Sequence, residues 1–138
     1  MNPEKYGISK GEKVSEILNL FAQPILRELM AEGKWGVLEE HEAAMEIACM
    51  TWNAVALADD WGDDSALKEY HHLLSTVPTD KREFGKTLID LIKVKRGPFR
   101  KYRFVFGDLK VFIGDDGKPC TFAEATIPPG KSLMPIAE

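Results

Sequence analysis

Residues Val37–Ala58 read VLEEHEAAMEIACMTWNAVALA, and the fold turns on this stretch. Leu38, His41, Met45, Ala48, Trp52 and Val55 recur at intervals of three and four, so they form one row along a helix. Ala43, Ile47, Met50, Ala54 and Leu57 form a second row. Only a narrow polar strip is left: Glu42, Glu46, Cys49 and Asn53. A helix that is apolar around most of its circumference belongs among other elements, not at a surface. The alanines spaced along it allow those neighbours to approach closely.

On the N-terminal side, a first helix is expected over Ser9–Glu32. Ser9 and Glu12 have capping-box spacing, and Gly33 is a natural stop. Its stripe is Val14, Ile17, Leu18, Phe21, Ile25 and Leu29. Pro24 removes a backbone donor in the middle, which predicts a kink or a division. On the C-terminal side, the run Asp59-Asp60-Trp61-Gly62-Asp63-Asp64 predicts a break. A third helix follows over Asp64–Thr76, before Pro78. The fourth starts near Asp80, takes Glu83 as a capping partner and ends at Gly97-Pro98. Its buried face is Phe84, Leu88, Leu91 and Ile92.

The period then becomes two. Tyr102, Phe104 and Phe106 alternate with Lys101, Arg103 and Val105, as on a half-buried strand. Gly107-Asp108 predicts a tight turn into Leu109–Ile113. Asp116-Gly117 predicts a hairpin leading to a further strand at Cys120–Ile127. Pro128–Glu138 contains three prolines and reads as extended. The expected fold class is therefore α+β, in one domain spanning 1–138. About four helices (9–97) pack around the central one, and an antiparallel hairpin or three-stranded sheet (100–127) and a tail (128–138) follow.

Composition narrows the function classes. A chain of 138 residues, 44% apolar and 29% charged, can bury roughly two-thirds of its unfolded surface without a metal or disulfide staple. Two cysteines, Cys49 and Cys120, make neither a disulfide framework nor a paired metal signature. The best membrane candidate, Ala43–Ala58, is interrupted by Glu46 and Asn53 and falls short of the roughly 18 apolar residues a span needs. Met1–Lys13 has no apolar signal-peptide core, so a cytoplasmic location is expected. Net charge is −4 but polarised: −8 over residues 1–64 and +4 over residues 65–138. Such asymmetry steers partners.

Three segments carry a resemblance: Phe21-Ala22-Gln23-Pro24-Ile25-Leu26; Ala44–Leu57 with its Trp52-Asn53 pair; and Lys95, Arg96, Phe106, Asp108 and Ile113. Together they resemble a group of small uncharacterised bacterial proteins, in which a helical region ending in Trp-Asn precedes a basic helix end and a short hairpin. The likeness covers roughly two-thirds of the chain. It implies α+β architecture and a cytoplasmic location, and brings no known activity. Some members end in a cysteine-rich zinc-binding tail; this chain does not, so zinc is not implied.

Two constellations can be read chemically. Lys93, Lys95, Arg96, Arg100, Lys101 and Arg103 form a basic segment with no acid between Ile92 and Phe106. Its cations suit an anionic partner, and Arg96, Arg100, Lys101 and Arg103 are the expected binding surface. The acidic character of the whole chain disfavours nucleic acid as that partner. The second constellation is Glu39-x-x-Glu42 with Asp60-x-x-Asp63, spaced like the paired motifs with which all-α nucleotide pyrophosphohydrolases hold Mg²⁺. Asp60 stands where that pattern has Glu, and Gly62 inside the second motif argues for a loop. His41 with Met45 and Cys49 shares a helix face, and His71-His72 project about 100° apart on a helix, so both read as packing or surface residues. No nucleophile elbow, phosphate loop or dinucleotide fingerprint occurs. The expectation is a non-enzymatic binding or adaptor protein with a protein partner, a homodimer among the readings, and neither cofactor nor metal. A Mg²⁺-dependent hydrolase using Glu39, Glu42, Asp60 and Asp63 is the alternative.

Overall fold

A computed structural model describes residues 7–8, 13–34, 36–78 and 82–128. Its elements are α1 (Val14–Phe21), α2 (Gln23–Ala31), α3 (Leu38–Trp61), α4 (Ser65–Ser75), α5 (Arg82–Arg96), β1 (Val105–Ile113) and β2 (Pro119–Thr126). The fold is α+β, with a two-stranded antiparallel sheet. The central helix is α3, which packs against α1, α2, α4, α5 and β1. No helix among the described residues is long and apolar enough to cross a membrane.

Pro24 divides the expected first helix outright. It sits in the first turn of α2, where a missing N–H costs nothing. Ser9 and Glu12 lie outside the described residues, as do Asp80 and the tail from residue 129. The α2 stop is at Gly33, whose φ of 73° suits glycine. Gly33 N–H donates to Met30 and Lys34 N–H to Leu29, satisfying two carbonyls at the helix end.

The central helix runs three residues further than the sequence suggests. Asp59, Asp60 and Trp61 are helical, and the stop is Gly62. Trp61 is buried, with its indole Nε1 donating to the Arg103 carbonyl at 2.8 Å. The Leu38–Val55 row is correct for its buried members His41, Met45, Ala48, Trp52 and Val55. The second row is only partly inside, since Met50 and Ala43 are exposed. Thr51 is buried instead: its hydroxyl lies 2.6 Å from that of Tyr70 on α4 and donates to the Ile47 carbonyl.

Trp52 is the hub. Fully buried, it lies edge-on to Phe21 of α1 at 5.1 Å and stacks on Phe104 at 5.2 Å. Phe99, Tyr102 and Phe106 complete the surround, with centroids at 5.9, 5.9 and 4.9 Å. Aromatic contacts of this kind add roughly 0.5–1.5 kcal/mol each beyond simple burial.

The strand pattern needs two corrections. Residues 102–104 bury Tyr102 and Phe104 as the alternation predicts, yet they join no sheet. Their carbonyls go to side chains: Arg103 accepts from Trp61, and Phe104 from Trp52 Nε1 at 2.9 Å. Gly107-Asp108 is not a turn but the irregularity within one continuous strand, between the pairs Phe106–Ala125 and Leu109–Ala123. Both sides of it therefore pair with the same partner, and among the described residues there is no third strand.

Candidate binding surface

The basic segment begins where α5 ends. Three lysines and arginines in the last turn complement the helix dipole, but they have different fates. Lys95 is buried. Its Nζ donates to the carbonyls of Phe99 (3.1 Å) and Tyr102 (2.8 Å), and lies 4.5 Å from the centre of a Trp52 ring. Burial pushes the Lys95 ammonium down to about 8, while Asp60 and Asp59 pull the other way. Arg96 reaches back to α3 and grips Asp59 with two hydrogen bonds, Nε at 3.0 Å and Nη2 at 3.1 Å. That pairing raises the Arg96 pKa, against a smaller effect of burial.

These two side chains fix the path of residues 97–103. Gly7 adds a third constraint, since its φ of 89° brings it against the Lys101 carbonyl, where no Cβ would fit. Arg100 and Lys101 stand exposed on this frame, with the Lys101 ammonium 4.9 Å from the Tyr102 ring centre. Arg103 is half-buried. Below them lies Asp60: burial raises its pKa and Asp59 raises it further, whereas Lys95, Arg103 and Arg100 lower it. Of the four expected binding residues, Arg96 is committed to Asp59. Arg100 and Arg103 both act on the Asp60 carboxylate, and with the exposed Lys101 they make up a basic ridge over residues 100–103.

The four carboxylates of the alternative do not gather. Glu39 and Glu42 lie at the start of α3 and Asp60 at its end. Eighteen residues of helix separate Glu42 from Asp60, about 27 Å at 1.5 Å per residue. Asp63 is taken up locally, with Oδ1 accepting from the Ser65 N–H and hydroxyl. Among the described residues no group of three or more His, Cys, Asp and Glu side chains is arranged to hold a metal ion.

His41 is buried, and desolvation lowers its pKa; His71 and His72 are exposed. Cys49 is buried, and its thiol is pushed up to about 12 by desolvation and by Glu46, so it is a poor nucleophile. A groove of about 650 Å³ opens between α2, α3 and α5, floored by Ile25, Leu29, Ala44, Ile47 and Phe84. Glu28, on its rim, accepts from the Thr87 hydroxyl.

Two features of this region carry little local signal in the sequence. One is Asp59, whose pairing with Arg96 spans 37 residues and has no local signal. The other is the buried state of Lys95, hinted at only by its spacing four residues after Leu91 on the buried stripe. No family model, curated protein or solved structure matches this chain.

Proposed function

We propose that the protein is a non-enzymatic binding module whose Arg100–Arg103 ridge docks an acidic segment of a partner protein. One observation carries this reading: Arg100 and Lys101 stand exposed on a chain path that Lys95 and Arg96 hold in place. A rigid cationic surface loses little entropy on binding, and exposed charges raise association rates and specificity. Asp60, set among the cations, favours a partner carboxylate that replaces part of its role over a densely charged polyanion.

The test is fluorescence anisotropy with a labelled oligoglutamate peptide and, separately, a single-stranded RNA of equal length. The peptide binds, and its affinity falls as salt rises through the physiological range. Arg100→Glu with Lys101→Glu weakens it about tenfold or more and leaves the circular dichroism spectrum unchanged, because both side chains are exposed. Equal peptide binding by the variant, or tighter binding of the RNA than of the peptide, removes this reading.

A further inference from the structure

The two edges of the β1–β2 sheet are treated differently by the rest of the chain. Ala123 N–H donates to Ser15 Oγ at 3.0 Å, and that hydroxyl reaches the Ala123 carbonyl, so Ala123 points its backbone groups away from β1 and α1 closes the β2 edge. On β1, Asn53 of α3 does the same for Phe106. Its Oδ1 accepts from Phe106 N–H at 2.7 Å and its Nδ2 donates to Phe106 O at 2.9 Å, as a neighbouring strand would.

Beyond the irregularity no described residue pairs with the outer β1 edge. Ala123 faces Leu109, Thr121 faces Val111 and Pro119 faces Ile113. Because Ala123 turns outward, these are the non-hydrogen-bonded pairs of an antiparallel ladder, and Leu109, Val111 and Ile113 also aim N–H and C=O away from β2. The turn bond from Gly114 N–H to Lys118 O gives the same register from the other end. No described residue bonds to these outward groups. A row of unpaired backbone groups is a template for a further strand.

The walls of this slot specify what fits. Leu109–Phe112 form a groove with Glu42 and Glu46, from the same polar strip of α3 that supplies Asn53. Both glutamates are exposed, and neither is in an ion pair with a described residue. They lie four residues apart on the helix, about 6.0 Å along the axis, close to the roughly 6.7 Å between alternate residues of a strand. On the other side, Phe112 and Phe122 are 48% and 46% exposed and are diagonal neighbours across the sheet.

We infer that the outer edge of β1 docks an extended peptide of a partner protein by strand addition, with Lys or Arg at alternate positions meeting Glu42 and Glu46 and apolar residues between them extending the Phe112–Phe122 face. The backbone of Leu109, Val111 and Ile113 supplies the pairing, and the two walls select the side chains. A second copy of this chain is a poor occupant. Antiparallel β1–β1 pairing about a two-fold axis brings both copies' Glu42 and Glu46 to one side of the sheet, where like charges oppose. The site is separate from the Arg100–Arg103 ridge and opposite to it in preferred charge.

The probe is a short fluorescent peptide of alternating lysine and valine, tested beside the same sequence N-methylated at every backbone nitrogen, which keeps the charges but has no N–H with which to pair as a strand. The plain peptide binds and the N-methylated one does not. Val111→Pro removes an outward N–H that β2 does not use, so the ladder survives and binding falls about tenfold or more. Glu42→Lys with Glu46→Lys, both on exposed helix positions, produces a comparable loss by charge alone. Arg100→Glu with Lys101→Glu binds the peptide as wild type does, which keeps this site distinguishable from the ridge. Absence of binding by the plain peptide, equal binding of the two peptides, or a wild-type dimer that Val111→Pro dissolves would each overturn the inference.

Discussion

Asn53 carries more than its size suggests. Its amide satisfies both backbone groups of Phe106 from a helix, closing one position of a strand edge without a strand. The sequence marks Asn53 as a polar residue on an otherwise apolar helix, which must find backbone partners or cost on the order of 1–3 kcal/mol. It does not identify the partner as a strand 53 residues away, because nothing in local spacing encodes that contact. Asn53→Asp is a sharp probe. The carboxylate still accepts from Phe106 N–H, but it faces the Phe106 carbonyl with no proton to give. Urea denaturation of this variant is expected to show a loss of about 1–3 kcal/mol. A change under about 0.5 kcal/mol, the size of an ordinary surface substitution, would mean that water replaces the lost donor.

At the scale of elements, helices with strong periodicity were legible and their junctions were not. The stripes of α1, α2 and α5 read directly because burial follows 3.6-residue spacing. The end of α3 was misplaced because Asp59, Asp60 and Gly62 resemble a loop, whereas Trp61 is held by burial and by the Arg103 carbonyl. The strand at 101–106 was half right for a related reason: alternation reports burial, and here the carbonyls that a second strand would have used go to indoles. The junction of α5 with β1 depends on Lys95, and this gives a prediction in pH. The folded-state pKa of Lys95, about 8, lies below the ordinary 10.5, so between those values the unfolded chain binds more protons than the folded one. Stability therefore rises with pH across that window for this group, by an amount on the order of a few kcal/mol at most. Deprotonation leaves two N–H donors, enough for Phe99 and Tyr102, so the junction survives. Wild type is expected to gain stability relative to Lys95→Met as pH rises from 8 to 10.5, measured by parallel urea titrations. A flat difference would show that Lys95 keeps the same affinity for its proton in both states.

The whole molecule is organised around one side chain. Trp52 touches α1 through Phe21, the α5–β1 connection through Phe99 and Tyr102, and the β1 region through Phe104 and Phe106. A two-stranded hairpin is at best marginally stable alone. This one is held by α3 through Asn53 and by α1 through Ser15, so sheet and helices share their stability. The two proposed surfaces, the Arg100–Arg103 ridge and the Glu42–Glu46 edge, are then tied to one cooperative unit. Helix content followed at 222 nm and indole fluorescence should thus lose their native values in a single coincident thermal transition. Trp52→Leu removes the ring contacts and the bond to the Phe104 carbonyl together, and is expected to cost about 3–5 kcal/mol, lowering the midpoint while far-ultraviolet dichroism and the remaining indole fluorescence still move together. If that variant instead lost its fluorescence change well below its helical transition, the hairpin would be a separately melting unit. The two surfaces would then not share a rigid frame.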